Sequence, residues 1–165
     1  MGSGKSSVGS ELASKLNRKL VDLDDYIQKK ESSSISKIFS EKGEIYFRKI
    51  ERAYLEQILL ENNDIILSTG GGTPCYGDTM QFLIENKSLK TVYLQTSLDL
   101  LTDRLQKEKD KRPVIAHLKT KEDLNDFIRK HLFERSYYYN QSSEKINTDT
   151  LSITEITDSI IEKLL

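Results

Sequence analysis

A chain of 165 residues, 36% apolar and 31% charged, has the length for one domain with one core and the composition of a small, soluble, folded protein. Its 25 Lys and Arg nearly cancel 26 Asp and Glu, so no global field draws it to nucleic acid or an anionic membrane, and any anion binding must be local. The lone Cys75 excludes an internal disulfide, no Cys and His pair has zinc spacing, and no run approaches the roughly 18 apolar residues of a membrane span, so a reducing cytosol is the expected compartment.

The chain opens on a glycine-rich stretch, after which Val8, Leu12, Ala13 and Leu16 recur at helical spacing up to Asn17. Residues 20–23 read as a short strand that ends among Asp22, Asp24 and Asp25, with a helix from Tyr26. A polar loop at 32–34, a short helix at 35–40 and a break at Gly43 precede a long helix at 44–60. Residues 65–67 are continuously apolar, as in a strand buried on both faces, and run into Gly70, Gly71 and Gly72. A helix at 78–85, a strand at 91–95 and a helix capped by Thr96 or Ser97 to about 107 continue the alternation. A charged segment at 107–121 holds Arg112-Pro113; beyond it lie a helix at 122–132, a strand at 146–148 and a helix at 153–165. Repeated β-then-α predicts a three-layer α/β/α fold around a parallel sheet, in a single domain over 1–165.

Met1 to Ser7 reads MGSGKSS, the second half of the phosphate-loop pattern G-x-x-x-x-G-K-[ST]. Gly2, Ser3, Gly4, Lys5, Ser6 and Ser7 form a candidate ATP phosphate site. The glycines let backbone N–H groups face phosphate oxygens, Lys5 reaches the β- and γ-phosphates, Ser6 offers a hydroxyl to magnesium, and the following helix adds its positive end. A lone Gly-Lys-Ser is weak evidence; placed where a helix begins, it is strong. In such a fold a strand precedes the loop, so about ten further residues, including the pattern's first glycine, are expected upstream in the working protein.

The other candidates gain from position. Asp22 and Asp24, two apart on or just past a strand, are expected to project to one side. In isolation they read as a solvated turn. At the carboxyl end of a parallel strand, where ligands bind, one acid can hold magnesium's water shell and the other take the proton of an attacking hydroxyl. Gly70 to Gly72 lie at the same kind of edge, where glycines lower the cost of unusual backbone angles and let amides approach a substrate. Arg48 and Arg135, taken singly, read as surface residues. Arg112 sits in a candidate mobile lid that brings a cation to the transferring phosphate. His117 and His131 have no partner at metal spacing, and Cys75 reads as packing beyond the glycine loop.

Together, MGSGKSS, VDLDDYI, GEIYFRKIE, STGGGTP, KRPVI and ERSYYY, in this order, resemble the shikimate kinase family. The resemblance implies a P-loop NTPase fold and transfer of the ATP γ-phosphate to the 3-hydroxyl of shikimate, a step toward aromatic amino acids, in a cytoplasmic monomer. It implies that Ser6 ligates Mg2+ directly and Asp22 through water. It makes Asp24 the residue on the substrate hydroxyl and base, Arg48 and Arg135 the pair on the shikimate carboxylate, the Gly71 amide a substrate contact, and Lys5 and Arg112 catalytic cations on ATP. The family's arginine-x-proline-leucine-tyrosine reads here Arg135-Ser136-Tyr137-Tyr138-Tyr139, without the proline. The adenine contact, expected near residues 147–150, is not assigned to one residue.

Gluconate and nucleoside monophosphate kinases are the enzymatic rivals, and a non-catalytic nucleotide-binding relative is the rival from another class. Nucleotide kinases need cations for a second set of phosphates, whereas Arg112 is the only arginine between Lys107 and Lys121. Gluconate kinase is harder to exclude by physics alone, but Asp24 with the triple glycine and the two candidate carboxylate-binding arginines fits a cyclic acid better.

Overall fold

The structure is a computed structural model that describes residues 2–109 and 112–164. Met1 of the glycine-rich stretch, residues 110 and 111 of the expected lid, and Leu165 of the last helix lie outside the described residues. The chain divides into two compact units: one is Ser6–Phe82, and the other joins the start of the chain, through Lys5, to the segment from Leu83 onward.

In the first unit, helix α1 (Lys5–Leu16) buries Val8, Leu12 and Ala13, the stripe expected from its periodicity. Asn17 ends it in the left-handed region at φ 52°. The Asn17 N–H then bonds the Ser14 carbonyl and the Arg18 N–H the Ala13 carbonyl, which satisfies two of the last turn's orphan acceptors. Strand β1 (Lys19–Asp22) pairs in parallel with β2 (Ile65–Ser68), with Asp22 opposite Ser68. Gly9 lets α1 approach this pair, since a Cβ there would lie 3.2 Å from Leu20.

Helix α2 (Leu23–Glu31) starts three residues before the expected Tyr26. The cause is Asp22, whose carboxylate accepts the N–H groups of Asp24 at 3.0 Å and Asp25 at 3.3 Å and so caps the helix. Asp22 is therefore the last strand residue and Asp24 a first-turn helical residue. The strand alternation expected to aim both acids to one side does not apply to them.

Helix α3 (Ile35–Glu61) follows, with Ser34 as its N-cap. Gly43, at φ 79° and ψ 172°, interrupts it, so the expected break between a short and a long helix is present as a kink. Helix α2 packs on α3, where Leu23, Ile27, Leu55 and Ile58 are completely buried, each worth about 1.5–3 kcal/mol relative to exposure. Glu31 fastens the same two helices, accepting from Lys42 at 3.0 Å, Tyr46 at 2.8 Å and Tyr54 at 2.8 Å. Residues 65–67 of β2 are only half-buried, unlike the expected strand covered on both faces; β1 is the neighbour to which β2 is hydrogen-bonded. A 3-10 turn (Thr73–Cys75) and helix α4 (Thr79–Glu85) follow the glycine run.

In the other unit, β3 (Val92–Gln95) pairs in parallel with β4 (Glu144–Asn147). The buried hydroxyls of Thr96 and Thr148 meet at 2.7 Å just past the strand ends. Ser97, not Thr96, caps α5 (Leu98–Glu108). A short helix α6 (Pro113–Ala116) precedes α7 (Lys121–Tyr139), which opens with a capping box between Thr120 and Asp123. Helix α7 runs seven residues past the expected end at 132, so Arg135 and Tyr137 to Tyr139 are helical. Helices α5 and α7 pack together around Leu101, Leu105, Leu124 and Ile128, and Ile115 of α6 is completely buried among them. Helix α8 (Ile153–Leu164) packs on β4. Among the described residues, no helix is long and apolar enough to cross a membrane.

Candidate active site

The glycine-rich stretch at the chain start has the backbone that its glycines permit. Gly2 and Gly4 both lie at positive φ, 73° and 87°. Around Gly4 nothing lies within 4 Å of where a Cβ would stand, so conformation rather than crowding calls for glycine there. Gly2 is also crowded, its Cβ position lying 3.1 Å from Leu105, and Arg104 Nη1 donates to its carbonyl at 3.2 Å. Arg104, absent from the expected site residues, thus ties this stretch to α5. Lys5 is the first helical residue of α1, and Ser6 and Ser7 are exposed in its first turn. No acid lies in that turn, which leaves the positive helix end without a fixed countercharge of its own.

Two candidates of the unit Ser6–Phe82, Asp24 and Arg48, meet at the glycine run. Register places Asp22 beside Ser68, so α2 and the glycine run leave the sheet from adjacent strand ends. Asp24, in the first turn of α2, consequently reaches the run: a Cβ on Gly70 would lie 3.4 Å from its Oδ1. Arg48, from α3, reaches the same run at Gly72. A Cβ on Gly72 would lie 2.7 Å from Arg48 Nη2 and 3.1 Å from Nη1.

Neither Gly70 nor Gly72 has a positive φ; Gly72 sits at φ −85° and ψ −23°. The glycines there serve close approach by side chains, not the unusual backbone angles the sequence suggested.

Arg48 is held on several sides. Its Nη1 donates to Glu51 at 2.7 Å, its Nε lies 3.5 Å from Glu44, and its guanidinium lies over the Tyr76 ring at 3.9 Å from the centroid. Glu51 is buried and also accepts from the Thr73 hydroxyl at 2.7 Å. Burial works against the charge on Arg48, but the Glu51 carboxylate outweighs it and leaves the guanidinium more firmly protonated than usual. Tyr76 is pushed up, first by its hydrogen bond to Glu44 and then by burial. Sequence reasoning missed Glu51, Thr73 and Tyr76. Glu51 stands three residues after Arg48 on one helix face, a spacing that could have marked it. Cys75 packs with its Sγ 3.7 Å from the Gly71 carbonyl.

The other unit holds Arg112 and Arg135. Arg112 is bound to Glu108 through Nε at 2.9 Å and Nη2 at 2.6 Å, and its segment is anchored by Ile115. Arg135 is half-buried on α7 and, among the described residues, has no hydrogen-bond or ion-pair partner, whereas the other six arginines each have one. Near the expected adenine segment, Asp149 accepts the Ser97 N–H at 2.8 Å and Thr148 is completely buried.

Parallel βα units with a glycine-rich loop feeding a helix define a P-loop NTPase-like fold. A family model described as shikimate kinase matches residues 1–165. The shikimate kinase of Flavobacterium johnsoniae is 40% identical over 164 residues, 99% of this chain and 94% of that protein. The one from Flavobacterium psychrophilum is 38% identical, covering 97% and 92%. The 1.7 Å crystal structure of the Bacteroides thetaiotaomicron shikimate kinase superposes with a TM-score of 0.89 at 36% identity, covering 99% of this chain and 93% of that one. The Acinetobacter baumannii shikimate kinase in complex with shikimate gives 0.82 at 28% identity, covering 99% and 88%. This chain belongs to the shikimate kinase family, ATP-dependent kinases that phosphorylate a hydroxyl of shikimate.

Proposed function

We propose that this chain transfers the γ-phosphate of ATP to the 3-hydroxyl of shikimate, with the residues around the glycine run handling the acceptor and the chain start handling ATP. The observation that carries the reading is the placement of Asp24 and Arg48 against one glycine run, with Cβ positions on Gly70 and Gly72 only 3.4 Å and 2.7 Å from their polar atoms. A carboxylate and a guanidinium brought to one backbone segment suit an acceptor that carries both a hydroxyl and an acid group.

In this reading Asp24 accepts the proton of the attacking hydroxyl as its oxygen bonds to the γ-phosphorus and the bond from that phosphorus to the bridging oxygen breaks, releasing ADP. Arg48 and Arg135 grip the shikimate carboxylate, because a planar acid asks for the forked donors that lysine lacks. Amides of Gly70, Gly71 and Gly72 fix the ring's position. The amides of Gly2 to Ser7, with Lys5, take the β- and γ-phosphates, and Arg112, exchanging Glu108 for phosphate, neutralises charge in the transition state. Loose phosphoryl transfer needs this positioning and neutralisation more than covalent help.

Membership of an ATP-dependent family implies a divalent metal. Ser6 offers a hydroxyl, and Asp22 has Oδ1 committed to the helix cap. These are hard oxygen donors, few in number, and they fit Mg2+, which keeps several waters and binds mainly through phosphates. Ser6 would hold it directly and Asp22 through water. Held there, such an ion would supply charge neutralisation for the transferring phosphate.

An ADP-release assay offering shikimate, gluconate and AMP in turn tests the proposal. Release that depends on shikimate is expected. Turnover on gluconate or AMP but not shikimate would replace it with another small kinase, and no turnover on any acceptor would leave a nucleotide-binding relative.

A further inference from the structure

Arg48 is enclosed by more than ion pairs. Gly72 lies under its Nη2 and Nη1, Glu51 takes Nη1 at one edge, Glu44 lies 3.5 Å from Nε, and the Tyr76 ring covers the guanidinium at 3.9 Å. The rings of Phe47 and Phe39 stand further off, at 5.1 Å and 5.9 Å. Tyr76 reaches this position because of its segment. Thr73 is tied to the buried Glu51, Pro74 starts the 3-10 turn Thr73–Cys75, and the Cys75 N–H donates to the Gly72 carbonyl at 2.9 Å. Two residues of one five-residue segment, Gly72 and Tyr76, therefore both lie against the guanidinium.

A ring centred 3.9 Å from the guanidinium carbon restrains the group by contact on that face. A flat aromatic face attracts the cation without consuming a donor, unlike a further carboxylate. The Tyr76 hydroxyl is bonded to Glu44, the carboxylate that also lies 3.5 Å from Nε, and this bond holds the ring in place.

We propose that Tyr76 is a positioning residue for acid recognition: its ring clamps Arg48 in the plane that receives a carboxylate and thereby favours alicyclic acids over uncharged polyols. The proposal rests on the reading of Arg48 as a carboxylate ligand given above.

The experiment compares the intact chain with Tyr76→Phe, Tyr76→Leu and Tyr76→Met in steady-state kinetics, with shikimate and ATP varied separately. Leucine and methionine keep an apolar side chain without a π face, and phenylalanine keeps the face. Both aliphatic variants are expected to raise KM for shikimate roughly 5- to 20-fold, with KM for ATP and kcat changed less than about twofold. Tyr76→Phe is expected within about threefold of the parent for shikimate. An unchanged shikimate KM in the aliphatic variants, an equal rise in both KM values, or a phenylalanine variant as impaired as the leucine one would overturn the proposal. So would loss of folding in both aliphatic variants while the phenylalanine variant folds, because the ring would then be a structural element. Arg48→Lys separates this from the underlying reading. If it leaves the shikimate KM unchanged, the assignment of Arg48 falls. If it raises that KM while Tyr76→Leu does not, only the role of Tyr76 falls.

Discussion

Gly72 and Arg48 are fitted so closely that a Cβ on the first would lie 2.7 Å from Nη2 of the second. Ordinary Cβ atoms do not approach so near, and Arg48 cannot swing aside freely because Glu51 and Tyr76 hold it. Gly72→Ala is therefore expected to displace the guanidinium. The overpacking costs about 1–3 kcal/mol, visible as a lower melting temperature. Shikimate KM is expected to rise at least about tenfold, with ATP KM within about twofold, since on the proposed reading Arg48 binds the acceptor and not ATP. Steady-state kinetics with each substrate varied checks the split.

Gly4 gives a contrasting case. Its Cβ position is open, but its φ is 87°. Gly4→Ala should cost about 1–2 kcal/mol from the left-handed backbone alone. If instead the loop escapes the strain by changing conformation, its amides leave their positions and ATP binding suffers. Titration of an ATP analogue, with a thermal melt alongside, should show weaker nucleotide binding and little change in shikimate binding.

Ile115 is the buried anchor of the segment that carries Arg112. Removing it leaves a cavity among Leu101, Leu105, Leu124 and Ile128. Ile115→Ala should destabilise the protein by about 2–4 kcal/mol in denaturant unfolding, whereas Val114→Ala, at a side chain 59% exposed, should stay within about 0.5 kcal/mol.

Glu31 predicts a pH dependence. The hydrogen bond from Lys42, then those from Tyr54 and Tyr46, hold its carboxyl below the ordinary glutamate range. A carboxyl depressed on folding contributes stability that is present above its unfolded pKa and is lost as pH falls through the folded one. Unfolding free energy measured from neutral pH downward should therefore decline through the acid range. Glu31→Gln, less stable at neutral pH, should show a shallower decline.

Much of this was legible in the sequence because it is local. The strand and helix alternation, the break at Gly43, and the candidates Asp24, Arg48 and Gly70 to Gly72 could all be marked from residue type and spacing. What escaped depends on partners far along the chain or on a cap. The start of α2 moved because one side chain, Asp22, satisfies two amides, and propensity alone does not register that. The end of α7 was set too early because Phe133 and Tyr137 are exposed on it, which blurs the apolar stripe. The reason for the glycines was also misjudged. Gly72 answers to an arginine 24 positions earlier, and no local pattern reveals so close a contact. Glu51 to Thr73 and Arg48 to Tyr76 are of the same kind.

The most direct measurement of the central claim is 31P NMR of the products after incubation of this chain with ATP, Mg2+ and shikimate. The account predicts ADP together with a new phosphomonoester resonance coupled to the proton at C3 of the shikimate ring, and no such resonance when Asp24→Asn replaces the parent. Consumption of ATP with inorganic phosphate as the only new product, or a phosphoester at another hydroxyl, would contradict it.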